Sequence, residues 1–196
     1  MDMSQVSPPI RLIVGLGNPG KEYQGTRHNA GFWFLDALAK VYNVDLRVEG
    51  KFFAELAKFK QNNNDVFLLK PATFMNLSGK AVLAVANFYK ITPNEILVVH
   101  DELDFVPGIV KLKFGGGSGG HNGLRDTQRV IGPDYWRCRL GIGHPGHKDA
   151  VHDYVLTKPA LDDKIAINLA IDKVIANIKF ILDGDFADAC KNIHTN

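Results

Sequence analysis

Two titratable side chains stand in settings where they can do acid–base work. His28 lies in GTRHNAGF at the start of an apolar helical stretch, and Asp101 closes the apolar run EILVVHD. Three asparagines hold comparable places: Asn18 just past RLIVGLG, Asn76 in KPATFMNLSG, and Asn122 at the head of HNGLRDTQRVIG. Imidazole, with an ordinary pKa of about 6.5, is suited to taking a proton from water near neutral pH. A helix N-terminus would disfavour the imidazolium and keep His28 neutral. A carboxylate on Nδ1 would fix the tautomer and stabilise the cation formed in the transition state, and Asp101 is a candidate for it. Asparagine amides can hold peptide carbonyls or donate to an oxyanion. There is no G-x-S-x-G elbow and no cysteine in a reactive setting, so a covalent nucleophile has no support. Each residue also has a plainer use. A histidine near a helix start caps it, Asn18 beside Pro19 and Gly20 makes a turn, and Asp101 can cap the next loop. The residues alone carry the reading no further than a hydrolase-type site.

The elements that must position these groups follow from hydrophobic spacing. Continuous apolar runs at 11–17 and 95–101 predict strands buried on both faces. The segments 52–59 and 65–70, joined through QNNN, predict a β-hairpin. Alternation predicts strands at 109–114, with one wet face, and at 136–143, with Arg137 and Arg139 opposite the apolar set. Helical spacing predicts helices over 28–43, 78–90, 121–132 and 161–182, the last as one long amphipathic helix. The segment 149–156 is ambiguous, GGGSGG at 115–120 reads as a flexible loop, and NIHTN at the C-terminus reads as frayed. This alternation predicts an α/β fold: a single domain with a mixed, mostly parallel twisted sheet surrounded by helices. The expected boundaries are a flexible leader over 1–9 and the domain over 10–192. Ligands of α/β sheets gather at the carboxyl ends of the strands, so the five residues are expected to converge in one crevice.

Composition bounds the alternatives. A chain of 196 residues suits one domain with a proper core. With 45% hydrophobic and 22% charged residues it is not a disordered chain. It lacks an uninterrupted apolar stretch of membrane-spanning length, and residues 1–9 lack a signal-peptide pattern, so a cytoplasmic location is expected. Cys138 and Cys190 are the two cysteines and lie far apart, which excludes a disulfide scaffold or a cysteine-based zinc site. A net charge of +2 neither demands nor forbids a nucleic-acid partner. Locally, Lys111, Lys113, Arg125, Arg129, Arg137 and Arg139 face only Asp126 and Asp134, a stripe that suits phosphates or a solvated face. GLGNPG at 15–20 matches the dinucleotide fingerprint, but loop residues follow its third glycine and Asp36 falls inside a helix, so a dinucleotide-dependent enzyme is the weaker reading. Its glycines are expected to let backbone approach a substrate. HPGH at 144–147, with His152, is the one metal-like cluster in the sequence. Pro-Gly breaks a helical ligand face there, so a turn is expected.

Four long segments in order, LIVGLGNPGKEYQGTRHNAGF, KPATFMNLSG, HDELDFVPGIVKLKFGGGSGGHNGLRD and RLGIGHPG, resemble bacterial-type peptidyl-tRNA hydrolases, over about residues 11–190. The resemblance implies cleavage of the ester between a peptide and the 3′-ribose of tRNA, which recycles tRNA from prematurely released peptidyl-tRNA. It implies His28 as catalytic base and Asp101 as its orienting partner. It places Asn18, Tyr23, Met75, Asn76, His121 and Asn122 in the substrate cleft, and Lys113 and Arg139 on the tRNA phosphate. It implies a monomer without metal or organic cofactor, with a mobile lid near 145–160. The competing readings are a non-hydrolytic RNA-binding relative, which has no need of His28, and the dinucleotide enzyme.

Overall fold

The computed structural model describes residues 7–195. A seven-stranded sheet forms the middle layer, in the order β2-β3-β4-β1-β5-β7-β6. The strands are β1 (Leu12–Gly15), β2 (Arg47–Glu49), β3 (Ala54–Gln61), β4 (Asn64–Pro71), β5 (Ile96–Glu102), β6 (Val110–Phe114) and β7 (Trp136–Gly141). Pairing is parallel across β4-β1-β5-β7 and antiparallel at β2-β3, β3-β4 and β6-β7. Five strands therefore run one way and only β3 and β6 oppose them, as the mostly parallel expectation requires. Among the described residues the helices are α1 (Ala30–Val41), α2 (Ser78–Tyr89), α3 (Asn122–Ile131), α4 (Val151–Val155), α5 (Leu161–Ala176), α6 (Ile178–Leu182) and α7 (Phe186–His194).

The continuous apolar runs are buried on both faces because each strand feeds two cores. Ile13 of β1 and Leu97 and Val99 of β5 pack with Phe34, Leu35 and Leu38 of α1 and with α5–α7. Leu12, Val14, Ile96 and Val98 point the other way, onto Val82 and Val85 of α2 and Leu124 of α3. The chain leaves β1 through α1 on one face and reaches β4 on one side. It then crosses on the opposite face through α2 to β5 on the other side. β1 is thus the switch point of a doubly wound sheet, where a crevice must open at the strand ends. Close approach of α1 to β1 depends on glycine: a Cβ at Gly31 would lie 2.5 Å from the Leu16 backbone, and one at Gly15 would lie 2.3 Å from the Gly31 carbonyl. The hairpin forms as expected. Asn62 and Asn63 both have positive φ, 49° and 65°, which suits the right-handed twist of paired strands.

Three expectations need correction. The segment 161–182 is two helices, broken at Asn177, whose Nδ2 donates back to the Lys173 carbonyl at 2.9 Å. The C-terminus is not frayed at Asn192, because α7 continues through His194. Phe186 stacks flat on Trp136 with ring centroids 3.5 Å apart, and His194 Nε2 accepts the Leu112 amide of edge strand β6 at 2.9 Å. Burying aromatic and aliphatic side chains such as Phe186 and Ile193 contributes about 1.5–3 kcal/mol each, enough to hold a nine-residue helix. Of the leader expected over 1–9, residues 1–6 lie outside the described residues. Ser7 is buried and its Oγ accepts Trp136 Nε1–H at 3.0 Å, so docked chain begins at least at Ser7. Arg137, set opposite the apolar alternation of β7, is buried as well.

Candidate active site

A cleft of about 950 Å³ opens at the carboxyl ends of β1, β4, β5 and β7. All ten residues singled out in the sequence line it: Asn18, Tyr23, His28, Met75, Asn76, Asp101, Lys113, His121, Asn122 and Arg139. His28 sits in a 3-10 turn, Arg27–Asn29, directly ahead of α1. Asp101 is the penultimate residue of β5. His28 Nδ1 and Asp101 Oδ2 are 2.9 Å apart, and His121 Nε2 and Asp101 Oδ1 are 2.8 Å apart. The carboxylate accepts, so His28 carries its hydrogen on Nδ1 when neutral and leaves the Nε2 lone pair free. The His121 tautomer is fixed from both ends, since its Nδ1 accepts the Leu124 amide at 3.3 Å as the cap of α3. A third imidazole, His100, shares a hydrogen bond of 2.8 Å with the Asp101 carbonyl through Nδ1. Burial pushes His100 down to about 3, so it stays neutral.

Charge in this cluster is decided by Asp101. Burial opposes ionisation of its carboxyl, but two neighbouring histidines that attract and bond it hold it well below the usual carboxylate range. Burial also lowers His28, yet the Asp101 charge and hydrogen bond outweigh that effect and raise it above 6.5. The expectation that the helix N-terminus keeps His28 neutral is therefore corrected. A helix dipole is worth about 0.3–1 kcal/mol, less than a buried, charge-assisted contact at 2.9 Å. A base on His28 becomes available as pH rises past a value above its ordinary one.

Asn29 is the residue that sequence reasoning missed. It occupies the first cap position of α1 but makes no capping bond. Its side chain instead clamps the Asn18 peptide, accepting the Asn18 N–H at 2.8 Å and donating to the Asn18 carbonyl at 3.0 Å. Asn18 Oδ1 is then taken by the Met75 amide at 2.7 Å, which leaves the Nδ2 donors for the cleft. An asparagine at a helix start reads as a cap, so no sequence signal separated this role from the ordinary one. Gly15 and Gly17 of GLGNPG serve α1 rather than a substrate, since a Cβ there would meet Gly31 and the Phe32 ring, while Gly20, with φ of 112°, makes a turn. The loop after them makes turns, not the helix that a dinucleotide site requires.

The other walls differ in character. Asn76 and Asn122 are exposed at the cleft edge, and Met75 is buried beneath it. Arg137 donates to the carbonyls of Gly115 and Gly117, and Gln128 Nε2 donates to Gly116 at 2.7 Å. GGGSGG, read as flexible, is thereby braced at three successive carbonyls. The basic stripe divides: Lys113, Arg137 and Arg139 line the cleft, while Arg129 turns back to Asp126 at 2.8 Å. Residues 144–156 form the remaining wall, through His144, Lys148, Val151, His152, Val155 and Leu156. Arg27 docks this wall beside His28. Its guanidinium lies 3.9 Å over the Tyr154 ring and donates to Thr157 Oγ1 at 2.6 Å. His144 Nδ1 accepts the Gly146 amide at 2.9 Å, the turn expected of HPGH. The metal-like grouping lies elsewhere: His28, Asp101 and His121 offer ligand atoms within 4.8 Å of one another. Their N···O separations are direct hydrogen bonds, whereas two ligands held about 2.0–2.1 Å from one tetrahedral zinc stand roughly 3.3 Å apart. As placed, the three groups bond one another.

A doubly wound α/β domain with an imidazole–carboxylate pair at its switch point, amide donors around it and cations on one wall is an arrangement suited to a hydrolase. The comparisons narrow it. The family model "Peptidyl-tRNA hydrolase" matches residues 12–196. The peptidyl-tRNA hydrolase of Neisseria meningitidis (serogroup B, strain MC58) is 54% identical over 191 residues, spanning 97% of this chain and 100% of that one. That of Stenotrophomonas maltophilia is 54% identical over 187 residues, 95% and 97% of the two chains. The crystal structure of peptidyl-tRNA hydrolase from Acinetobacter baumannii superposes with a TM-score of 0.93 at 47% identity, covering 95% of each chain. This chain belongs to the peptidyl-tRNA hydrolase family.

Proposed function

We propose that this protein hydrolyses the ester joining a peptide to the 3′-ribose of tRNA, so that tRNA stranded on prematurely released peptides is recycled. The observation that carries the mechanism is the 2.9 Å contact of His28 Nδ1 with Asp101, which leaves Nε2 as a lone pair in the cleft. His28 takes a proton from water through Nε2 as the water oxygen attacks the acyl carbon. Asp101 fixes the tautomer and stabilises the imidazolium. The tetrahedral intermediate collapses with the ribose 3′-oxygen as leaving group, and that oxygen takes the proton back from Nε2. The products are a peptide acid and tRNA, and His28 is neutral again. An alkoxide leaves an ester more readily than an amine leaves an amide, so a positioned base and amide donors suffice without a covalent intermediate.

Asn18 contributes its Nδ2 donors to the acyl end. Asn76 and Asn122 hold peptide backbone, and Tyr23 and Met75 supply apolar contact. Backbone recognition suits a substrate of varied peptide sequence, because it does not read side chains. His121 holds the second oxygen of Asp101. Lys113 and Arg139 attract the tRNA phosphates, a contact that salt should weaken. The catalytic groups all come from one chain, so the reaction needs no residue from a second copy and a monomer can carry it out. Among the described residues no helix is long and apolar enough to cross a membrane. The deciding assay is release of labelled peptide from purified peptidyl-tRNA. Wild-type protein should release it and His28→Ala should do so at least about 10²-fold more slowly, with tRNA binding retained; equal turnover by the two would reject the base.

A further inference from the structure

The apolar wall of the cleft continues outward as a ledge. Phe74 packs edge-on against Tyr23, with ring centroids 6.2 Å apart, and is 57% exposed. Leu77, whose amide donates to the Phe74 carbonyl at 2.9 Å, is 51% exposed. In the first turn of α2, Lys80 sets Nζ 3.9 Å from the centroid of the Phe53 ring. Phe53 is 39% exposed and has φ of 53°, a left-handed conformation that bulky residues rarely adopt. Its carbonyl accepts the Ala72 amide at 2.8 Å, which ties it to the segment carrying Phe74. Exposed apolar side chains scattered singly need no explanation. These are tied together through the segment 72–80, Phe74 lines the reaction cleft, and Phe53 sits on strained backbone, a feature that concentrates at ligand clamps.

The sheet order indicates what lies on the ledge. The segment from Phe74 to Lys80 follows β4, on one side of β1 and β5, whose ends lead to His28 and Asp101. Lys113, Arg137 and Arg139 come from β6 and β7, on the other side. The two halves of a peptidyl ester leave the acyl carbon in opposite directions. With phosphates on the cationic side, the peptide runs out on the apolar side. We infer that Phe74, Leu77, Phe53 and Lys80 bind the peptide arm of the substrate beyond the residue esterified to the ribose, favouring apolar and acidic side chains. This rests on the peptidyl-ester reading above. A peptide fits better than a nucleotide base, because Lys80 already covers a face of the Phe53 ring on which a base would stack.

The test uses two substrates on one tRNA, N-acetylglycyl and an N-acetylated tetrapeptidyl rich in leucine, and reads the ratio of their kcat/KM values. Wild-type protein should favour the tetrapeptide about tenfold, which shielding of roughly 50–60 Å² of apolar surface supplies. The double variant Phe53→Asn, Leu77→Ser should bring the ratio close to one. Asparagine tolerates left-handed backbone and both side chains are partly or largely exposed, so the fold should survive; circular dichroism and a thermal melt check this. A wild-type ratio near one, or a ratio unchanged in the variant, overturns the ledge. Equal weakening of deacylated tRNA binding in the variant means that the ledge holds RNA, and also overturns it. No turnover of either substrate by wild-type protein rejects the active-site reading itself, and the ledge with it.

Discussion

The two sides of the cleft are built on different principles. On the β1–β5 side, His28, Asn29, Asn18 and Asp101 are buried and bonded in a chain of contacts between 2.7 and 3.0 Å. On the β6–β7 side, Lys113 is exposed and Arg139 reaches Glu102 only at 3.8 Å. Proton transfer depends on distance and tautomer, so its groups must be fixed before substrate arrives. Attraction of phosphate falls off gently with distance and survives a loose side chain, at the cost of screening by salt. Perturbations on the first side should therefore act on turnover and stability. Those on the second should act on binding and its ionic-strength dependence.

The largest expected effect is that of His28→Ala, which should lower kcat by about 10²–10⁴-fold with KM little changed, as read in single-turnover peptide release. Asp101→Asn should lower kcat by about 10²-fold or more, because the tautomer is no longer enforced. It should also shift the pH profile. In wild-type protein kcat/KM rises with pH as His28 loses its proton, with a midpoint above 6.5, since Asp101 raises His28. Without that charge, burial is the dominant influence left and the midpoint should fall; an unmoved midpoint would mean that another group titrates. Asn29→Ala strips the partners from both polar groups of the buried Asn18 peptide. Stability should drop by about 2–4 kcal/mol in urea unfolding, with a loss of kcat from the misplaced Asn18 amide. The smallest effects belong to the cationic wall. Lys113→Ala or Arg139→Ala should raise KM, leave kcat near wild type, and reduce the slope of log affinity for tRNA against log salt by about 0.7–0.9. A mutation on this wall that abolished kcat at saturating substrate would erase the distinction between the two sides.

Legibility followed the range of the physical cause. The buried strands 11–17 and 95–101, the hairpin around QNNN and helices α1–α3 were readable because each is announced by local spacing or turn chemistry. Asn18, His28, Asn76, Asp101 and Asn122 were readable for a related reason: strand ends in an α/β sheet converge, so polar residues near the ends of apolar runs meet; Tyr23, Met75, His121, Lys113 and Arg139 came to the site only from the family resemblance. What failed was decided at long range. The break at Asn177 follows an unbroken apolar pattern. α7 depends on a tryptophan some fifty residues earlier, Trp136 under Phe186. Alternation places Arg137 opposite apolar neighbours but says nothing of its partners, which are carbonyls of the glycine loop.

By itself, the sequence determined the order of the central elements, the two-faced burial of the central strands and five polar residues that reach one cleft, because periodicity and turn chemistry act within a few residues. Only the tertiary structure decided the ionisation of His28, the clamp of Asn29 on Asn18 and the bracing of the glycine loop. Each of these turns on hydrogen bonds and burial between residues 11 to 73 positions apart, and the spacing of a chain does not encode distances of a few ångströms across its fold.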